Sequence, residues 1–106
     1  MPSDLTVQEL TGVLKSDDPS WENPLWLDVR TIGEVQEGTV PGSLHIDIAI
    51  LSEQLHQLEP HRTRRILCFC RSGGRSQRAR EILTAHGYTL AVNVGGFDDL
   101  REIFNS

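Results

Sequence analysis

The 106-residue sequence has few cysteines and no long hydrophobic segment. Its longest apolar runs, residues 48–51 and 66–70, are four and five residues long, whereas a membrane span needs about 20. The N-terminus lacks the basic head and apolar run of a secretory signal, so a cytoplasmic location without a membrane partner is expected. The two cysteines, Cys68 and Cys70, lie too close in sequence for a normal disulfide and are expected to be free thiols.

Basic residues are scarce outside one short segment. Residues 1–59 carry eleven acidic and two basic residues, whereas residues 60–80 carry seven arginines and no acid. The formal net charge is −5, so general nucleic-acid binding is not expected, but the basic segment suits a small anion. The four histidines show no metal-ligand spacing, and no metal site is predicted.

The hydrophobic pattern predicts strands that alternate with helices. Helices are expected over residues 6–15, 32–37, 52–58 and 97–104, with another after residue 76 that Gly87 ends. Strands are expected over residues 25–29, 44–46, 65–69 and 91–94, and a turn at Gly95 and Gly96. Thr6 and Glu9 have the spacing of a capping box. The expected architecture is one α/β domain over residues 1–106 with a mostly parallel sheet.

The loop after the third expected strand carries residues that activate a thiol. Cys70 ends this strand and is followed by Arg71, Ser72, Gly73, Gly74 and Arg75. Glycines let successive backbone N–H groups turn toward one point, and the following helix adds its positive end. Together with the arginine charges, these groups are expected to lower the pKa of Cys70 from the usual value of about 8.5. The loop is therefore predicted to bind an anionic substrate beside a thiolate nucleophile.

The same residues resemble a known family. The run from Cys70 to Ser76, Cys-Arg-Ser-Gly-Gly-Arg-Ser, resembles the active-site loop of rhodanese-like sulfurtransferases. Three further segments resemble family motifs in the family's order, namely residues 27–30, 34–43 and 92–97. Two departures are visible: Thr39 stands where the family commonly has His, and Leu100 where it commonly has Trp.

The resemblance implies a single-domain rhodanese-like fold and a sulfur-transfer reaction. The implied fold is a mostly parallel central sheet of about five strands with helices on both faces. Cys70 would take a sulfane sulfur from thiosulfate or a related small anionic donor as a persulfide. A thiol, cyanide or a protein cysteine would then accept the sulfur. The resemblance implies no metal or organic cofactor.

Roles for the other site residues follow from the resemblance as well. Backbone N–H groups of residues 71–75 would hold the persulfide, and Arg71 and Arg75 would orient the donor or stabilise the loop. Supporting roles are expected for Asp28, Arg30 and Ser76. For Asp28 and Arg30, we expect an ion pair beneath the site rather than contact with substrate.

Two other functions remain open from the sequence. A sulfur-carrier or regulatory binding module would have the same loop without turnover. A related cysteine phosphatase or arsenate reductase is a weaker alternative, because those enzymes use Cys-x5-Arg, whereas Cys70 and Arg75 form Cys-x4-Arg. Cys68 is expected to be a core residue rather than a resolving thiol.

Overall fold

The computed structural model describes residues 3–104, and the strands in this range form a four-stranded parallel sheet. The strands are β1 (Leu25–Asp28), β2 (Leu44–His45), β3 (Ile66–Cys70) and β4 (Ala91–Gly96). Their order in the sheet is β2-β1-β3-β4, and every pairing is parallel. The α/β class with a parallel sheet is therefore confirmed.

Helices cover both faces of this sheet. The α-helices are α1 (Val7–Leu14), α2 (Ile32–Gln36), α3 (Gly74–Ala85) and α4 (Phe97–Phe104). Short 3₁₀ helices span Pro19–Trp21, Ile48–Glu53 and Leu55–His61. The predicted capping box is present at the start of α1, where Thr6 and Glu9 bond to each other's backbone N–H groups.

The central strand β3 is buried on both faces because its side chains alternate between two hydrophobic clusters. Ile66, Cys68 and Cys70 enter the cluster that packs against α3 and the 3₁₀ helices. Leu67 and Phe69 enter the cluster that packs against α1 and α4. The two clusters place the carboxyl end of β3, and with it Cys70, between two layers of helices.

The sheet has four strands in residues 3–104, so the expectation of about five is wrong. Residues 3–6, which precede α1, bring Asp4 to the free edge of β4 but form no strand there. The Asp4 N–H donates to the Asn93 carbonyl at 2.8 Å. The Asn93 N–H is bound by the Asp4 carboxylate at 2.8 Å rather than by a backbone carbonyl, so the ladder does not continue.

Two local expectations are also wrong. The predicted helix over residues 52–58 is replaced by two 3₁₀ helices that meet at Gln54, whose N–H bonds to the Leu51 carbonyl. Gly95 and Gly96 are the last residues of β4 rather than a turn, because a register shift in β3 pairs them with Phe69 and Cys70. Glycine is required at position 96, where a Cβ would lie 2.6 Å from the Arg71 carbonyl oxygen.

A buried ion pair joins the end of β1 to its surroundings, as expected for Asp28 and Arg30. Asp28 is fully buried, and its Oδ2 lies 2.7 Å from the Arg30 Nη2. Thr39 donates a hydrogen bond to the same oxygen at 2.7 Å, while the Arg30 guanidinium stacks 4.5 Å from the centre of the Phe97 ring. Burial raises the pKa of Asp28, but the bonds from Arg30 and Thr39 outweigh it and hold this pKa below its usual value.

Breaking this pair should destabilise the fold. We expect Asp28→Asn to lower the free energy of unfolding by about 3 kcal/mol near neutral pH, because it leaves Arg30 as a buried charge without a counterion. Urea titration measures this change. The difference from wild type should shrink below about pH 4, where the wild-type carboxyl also gains a proton.

The matched control is Glu59→Gln, which breaks the exposed pair between Glu59 and Arg62. Its effect should be much smaller, because water already solvates both charges. Equal effects of the two substitutions on the free energy of unfolding would show that burial does not increase the contribution of the Asp28 pair to stability.

Candidate active site

The candidate site lies at the carboxyl end of β3, at the edge where open α/β sheets bind ligands. Cys70 is the last residue of β3, and α3 begins at Gly74. The connecting loop therefore has three residues, and the expectation that Gly74 and Arg75 also lie in the loop is wrong, because both belong to the first turn of α3. Arg71 and Ser72 are exposed, and Gly73 is buried. Cys70 itself is fully buried. The strand and the helix hold the thiol at the bottom of a short, tight loop.

The Cys70 sulfur is surrounded by hydrogen-bond donors. The Gly73 N–H donates to Sγ at 3.0 Å, and the Ser76 hydroxyl lies 3.4 Å from Sγ. Gly73 has a φ of 95°, a left-handed conformation that glycine adopts without a steric penalty. This reversal of the chain lets the Gly73 N–H point back to the preceding strand.

These donors control the ionisation of the thiol. Burial raises the pKa of Cys70, but hydrogen bonds from the Ser76 hydroxyl and from the N–H groups of residues 72, 73 and 76 outweigh it. The resulting pKa lies below the usual value for a thiol, the direction expected from the sequence. Hydrogen bonds to the sulfur are the largest lowering effects, so the loop acts through short-range donors.

Arg75 is engaged in a second ion pair. Its Nη1 and Nη2 lie 2.7 and 2.9 Å from the two Glu34 carboxylate oxygens. Glu34 also accepts the Thr31 N–H at the start of α2, so this carboxylate joins α2 to α3. Of the two roles that the sequence left open for Arg75, this geometry favours stabilisation of the loop.

Arg71 is the loop arginine that faces solvent. It is exposed, and no ion pair to it is present in the described part of the chain. It lines a surface pocket with Arg30, Phe97 and Arg101, along with the acidic residues Glu34, Glu37 and Asp98. This pocket places three guanidinium groups beside the loop that carries Cys70.

The other predicted residues lie as follows. Ser76 is buried against Cys70. Asp28 and Arg30 are paired with each other, and Arg30 lines the pocket that Arg71 also lines. Cys68 is fully buried, and burial raises the pKa of its thiol to about 12. A neutral, enclosed thiol fits the prediction that Cys68 is a core residue.

Two residues of the site had no role assigned from the sequence. Glu34 was part of a family motif, but its bond to Arg75 spans 41 residues. Asn93 is fully buried in β4 and bonds to both Ser76 and Gly73. The available signal for Asn93 was a polar residue inside an apolar strand.

The histidines are dispersed over the surface of the fold. His45 and His86 bond to backbone carbonyls of Arg30 and Ile82, and His61 bonds to Arg64. Within residues 3–104, no cluster of three or more His, Cys, Asp or Glu side chains is placed to hold a metal ion. The helices of the same range include none with the length and apolar character needed to cross a membrane.

Comparisons with known proteins identify the family that the chain resembles. Residues 6–102 match the rhodanese-like domain family. Thiosulfate sulfurtransferase PspE of Escherichia coli is 32% identical over 75 residues, which cover 71% of this chain and 72% of PspE. Human thiosulfate:glutathione sulfurtransferase is 32% identical over 82 residues, 65% of this chain and 70% of that protein. The solved structure of a rhodanese with anions from E. coli has a TM-score of 0.67 and 32% identity, over 72% of this chain and 89% of that chain.

The Glu34–Arg75 pair leads to a stability prediction. The hydrogen bonds from Arg75, opposed by burial, lower the pKa of Glu34 from 4.5 to about 2. The stabilisation is therefore present above pH 4.5 and is lost as the pH falls toward 2. We expect Glu34→Gln to lower the free energy of unfolding by about 1 kcal/mol at pH 7.

Urea titrations of wild type and Glu34→Gln should show this gap closing between pH 4.5 and 2. Glu37→Gln is the matched control, because Glu37 lies at the end of α2 and lines the same pocket. It should change stability little at any pH. A gap for Glu34→Gln that stays constant down to pH 2 would contradict the assigned ion pair.

Proposed function

The chain belongs to the rhodanese-like family of sulfurtransferases, and we propose that it transfers a sulfane sulfur from a small anionic donor through a persulfide on Cys70. The observation that carries this proposal is the buried Cys70 sulfur within 3.0 Å of the Gly73 N–H. A thiolate held by backbone donors is a ready nucleophile. Thiosulfate is the proposed donor, because two of the relatives are thiosulfate sulfurtransferases. The family match over residues 6–102 supports the proposal that residues 1–106 form a single rhodanese-like domain.

In the first step, the Cys70 thiolate attacks the outer sulfur of thiosulfate. A bond forms between Sγ and that sulfur as the sulfur–sulfur bond of thiosulfate breaks. Sulfite leaves with the bonding electron pair, and the negative charge of the thiolate moves to the terminal sulfur of the persulfide. Backbone N–H groups of the loop are suited to hold this charge, since they converge on one point and need no rearrangement.

In the second step, a thiophilic acceptor attacks the terminal sulfur. A thiolate acceptor takes this sulfur and itself becomes a persulfide, while the bonding electron pair returns to Cys70 as a thiolate. Cyanide would leave as thiocyanate in the same way. We propose a thiol or a protein cysteine as the acceptor in the cell, and the human relative named for glutathione supports a thiol.

Arg71 of the loop and Arg75 of α3 are proposed to have different roles. Arg71 is exposed and lines the pocket beside the loop, so its charge is available to a dianionic donor. Arg75 has both terminal nitrogens on Glu34 and holds α3 against α2. Arg71 would therefore attract the donor while Arg75 keeps the loop in shape.

The phosphatase alternative is weakened by the same contacts. Cysteine phosphatases use Cys-x5-Arg, a loop one residue longer that fits a tetrahedral oxyanion, and an arginine fork can bind two oxygens of such an anion. Here the corresponding arginine, Arg75, is occupied by Glu34 at 2.7 Å. A sulfur carrier that needs a partner for turnover remains the second candidate function, because it requires the same loop and persulfide.

Loss of the Cys70 sulfur should abolish the reaction. We expect Cys70→Ser to lack sulfur transfer from thiosulfate, because a hydroxyl cannot form a persulfide, and to keep a native circular dichroism spectrum. Mass spectrometry of the wild type after thiosulfate treatment should show one added sulfur on Cys70. Repeated turnover with a thiol acceptor distinguishes an enzyme from a carrier, which would load once.

Cys68→Ala is the matched control, since it removes a thiol two positions earlier on the same strand. It should retain most of the transfer activity and lose about 1 kcal/mol of stability through reduced packing. Activity above a tenth of wild type in Cys70→Ser would refute the proposed nucleophile. Loss of turnover in Cys68→Ala under reducing conditions would make Cys68 part of the reaction.

The size of the loop should exclude phosphate-ester hydrolysis. We expect no hydrolysis of aryl phosphates by the wild type, because the loop leaves no room for three phosphoryl oxygens around the sulfur. One glycine inserted between Gly74 and Arg75 should weaken thiosulfate use, since it displaces Arg75 from Glu34. Unchanged sulfur transfer in that insertion variant would refute the argument from loop size.

A further inference from the structure

Asn93 lies beneath the Cys70 loop and touches two of the residues whose donors reach the sulfur, Gly73 and Ser76. We propose that Asn93 is a positioning residue for Cys70, because its side-chain amide holds Gly73 and Ser76 in the orientation that solvates the thiolate. This inference rests on the proposed function only in so far as the Cys70 thiolate takes part in sulfur transfer. The contacts that carry it are independent of any substrate.

The Asn93 amide is fully used although its side chain is fully buried. Its Oδ1 accepts from the Ser76 hydroxyl at 2.7 Å and from the Gly95 N–H at 3.0 Å. Its Nδ2 donates to the Gly73 carbonyl at 3.1 Å and to the Gln77 Oε1 at 3.2 Å. Two accepted and two donated bonds are all that an asparagine amide can make.

The orientation of this amide is determined by the backbone. The Gly95 N–H is always a donor and the Gly73 carbonyl is always an acceptor, so a rotated amide would oppose like groups at both positions. No other side chain of this size offers two N–H donors together with a carbonyl acceptor. Asparagine is therefore specifically suited to join the end of β4 to the loop.

Two of the residues that the Asn93 amide contacts, Gly73 and Ser76, also contact the Cys70 sulfur. The carbonyl of Gly73 is bound by Asn93, while the N–H of the same residue donates to Cys70 Sγ at 3.0 Å. The Ser76 oxygen lies 2.7 Å from Asn93 and 3.4 Å from Sγ. The Ser76 hydroxyl has three acceptors within reach, the Asn93 Oδ1, the Gly73 carbonyl at 3.1 Å and the sulfur, and its contact with Asn93 fixes the position of the Ser76 oxygen beside the sulfur.

The charged groups around this network stay the same when Asn93 is replaced. On the loop side, Arg75 of α3 is paired with Glu34 of α2, and Arg71 faces the pocket. On the β4 side, the Asp4 carboxylate binds the Asn93 backbone and lies 3.4 Å from Arg80 of α3. A change in Cys70 ionisation would therefore report lost hydrogen bonds rather than lost charges.

The test is the pH dependence of Cys70 alkylation by iodoacetamide, read by mass spectrometry. Replacing Asn93 with alanine should raise the midpoint by about one pH unit, because the Gly73 and Ser76 donors relax away from the sulfur. Asn93→Ser, which lacks an amide donor, should also raise the midpoint, and it replaces the alanine variant in the test if that variant does not fold. Gln77→Ala is the matched control and should leave the midpoint unchanged, because it removes the one side-chain partner of Asn93 that does not reach the sulfur.

A double-mutant cycle shows whether Asn93 acts through Ser76. Ser76→Ala should also raise the midpoint, and Asn93→Ala combined with it should raise the midpoint by less than the sum of the two single effects. Fully additive shifts would show that Asn93 does not act through Ser76. An unchanged midpoint in folded Asn93→Ala and Asn93→Ser would overturn the proposal altogether.

Sulfur transfer is measured separately on the same variants. If the wild type transfers sulfur and the Asn93 variants match it in both rate and alkylation midpoint, only the role of Asn93 fails. If the wild type transfers no sulfur, the proposed function fails, and the alkylation profile still decides whether Asn93 positions the donors.

Discussion

The burial of the Cys70 sulfur is the constraint on which the rest of the site depends. A charged sulfur without solvent is costly unless donors replace the water. The chain provides them from the three-residue loop and from Ser76 at the start of α3, and the left-handed conformation of Gly73 turns the loop N–H toward the sulfur. The close approach of Gly96 to the Arg71 carbonyl belongs to the same arrangement, since a side chain at position 96 would displace the loop.

Two arginines near the site form ion pairs that support the fold, and a third faces solvent. Arg30 is buried in a pair with Asp28 and stacks on Phe97 of α4, and Arg75 joins α3 to α2 through Glu34. Arg71 is left facing the surface pocket. A basic sequence segment thus contains one arginine that stiffens the loop and one that is available to an anion.

Local sequence patterns predicted much of the fold and the centre of the site. Capping boxes, strand periodicity and the glycine-containing loop depend on neighbours within a few residues, so Cys70 and its donors could be located from them. The partner of Arg75 lies 41 residues away, and the role of Asn93 depends on contacts with a different strand and helix. Within residues 3–104, the absence of a fifth strand has the same origin, because the Asp4 side chain accepts the Asn93 N–H that a further ladder would need. Tertiary pairing of this kind leaves no local signal.

The most direct test of this account is the pH dependence of Cys70 alkylation by a neutral reagent in the unmodified protein. The hydrogen bonds to Sγ predict a midpoint below about 8.5, the value of a free thiol, and fast alkylation near neutral pH. Cys68 provides an internal reference, because burial raises the pKa of its thiol to about 12. A midpoint for Cys70 at or above about 8.5 would contradict the account, since the loop would then not stabilise a thiolate.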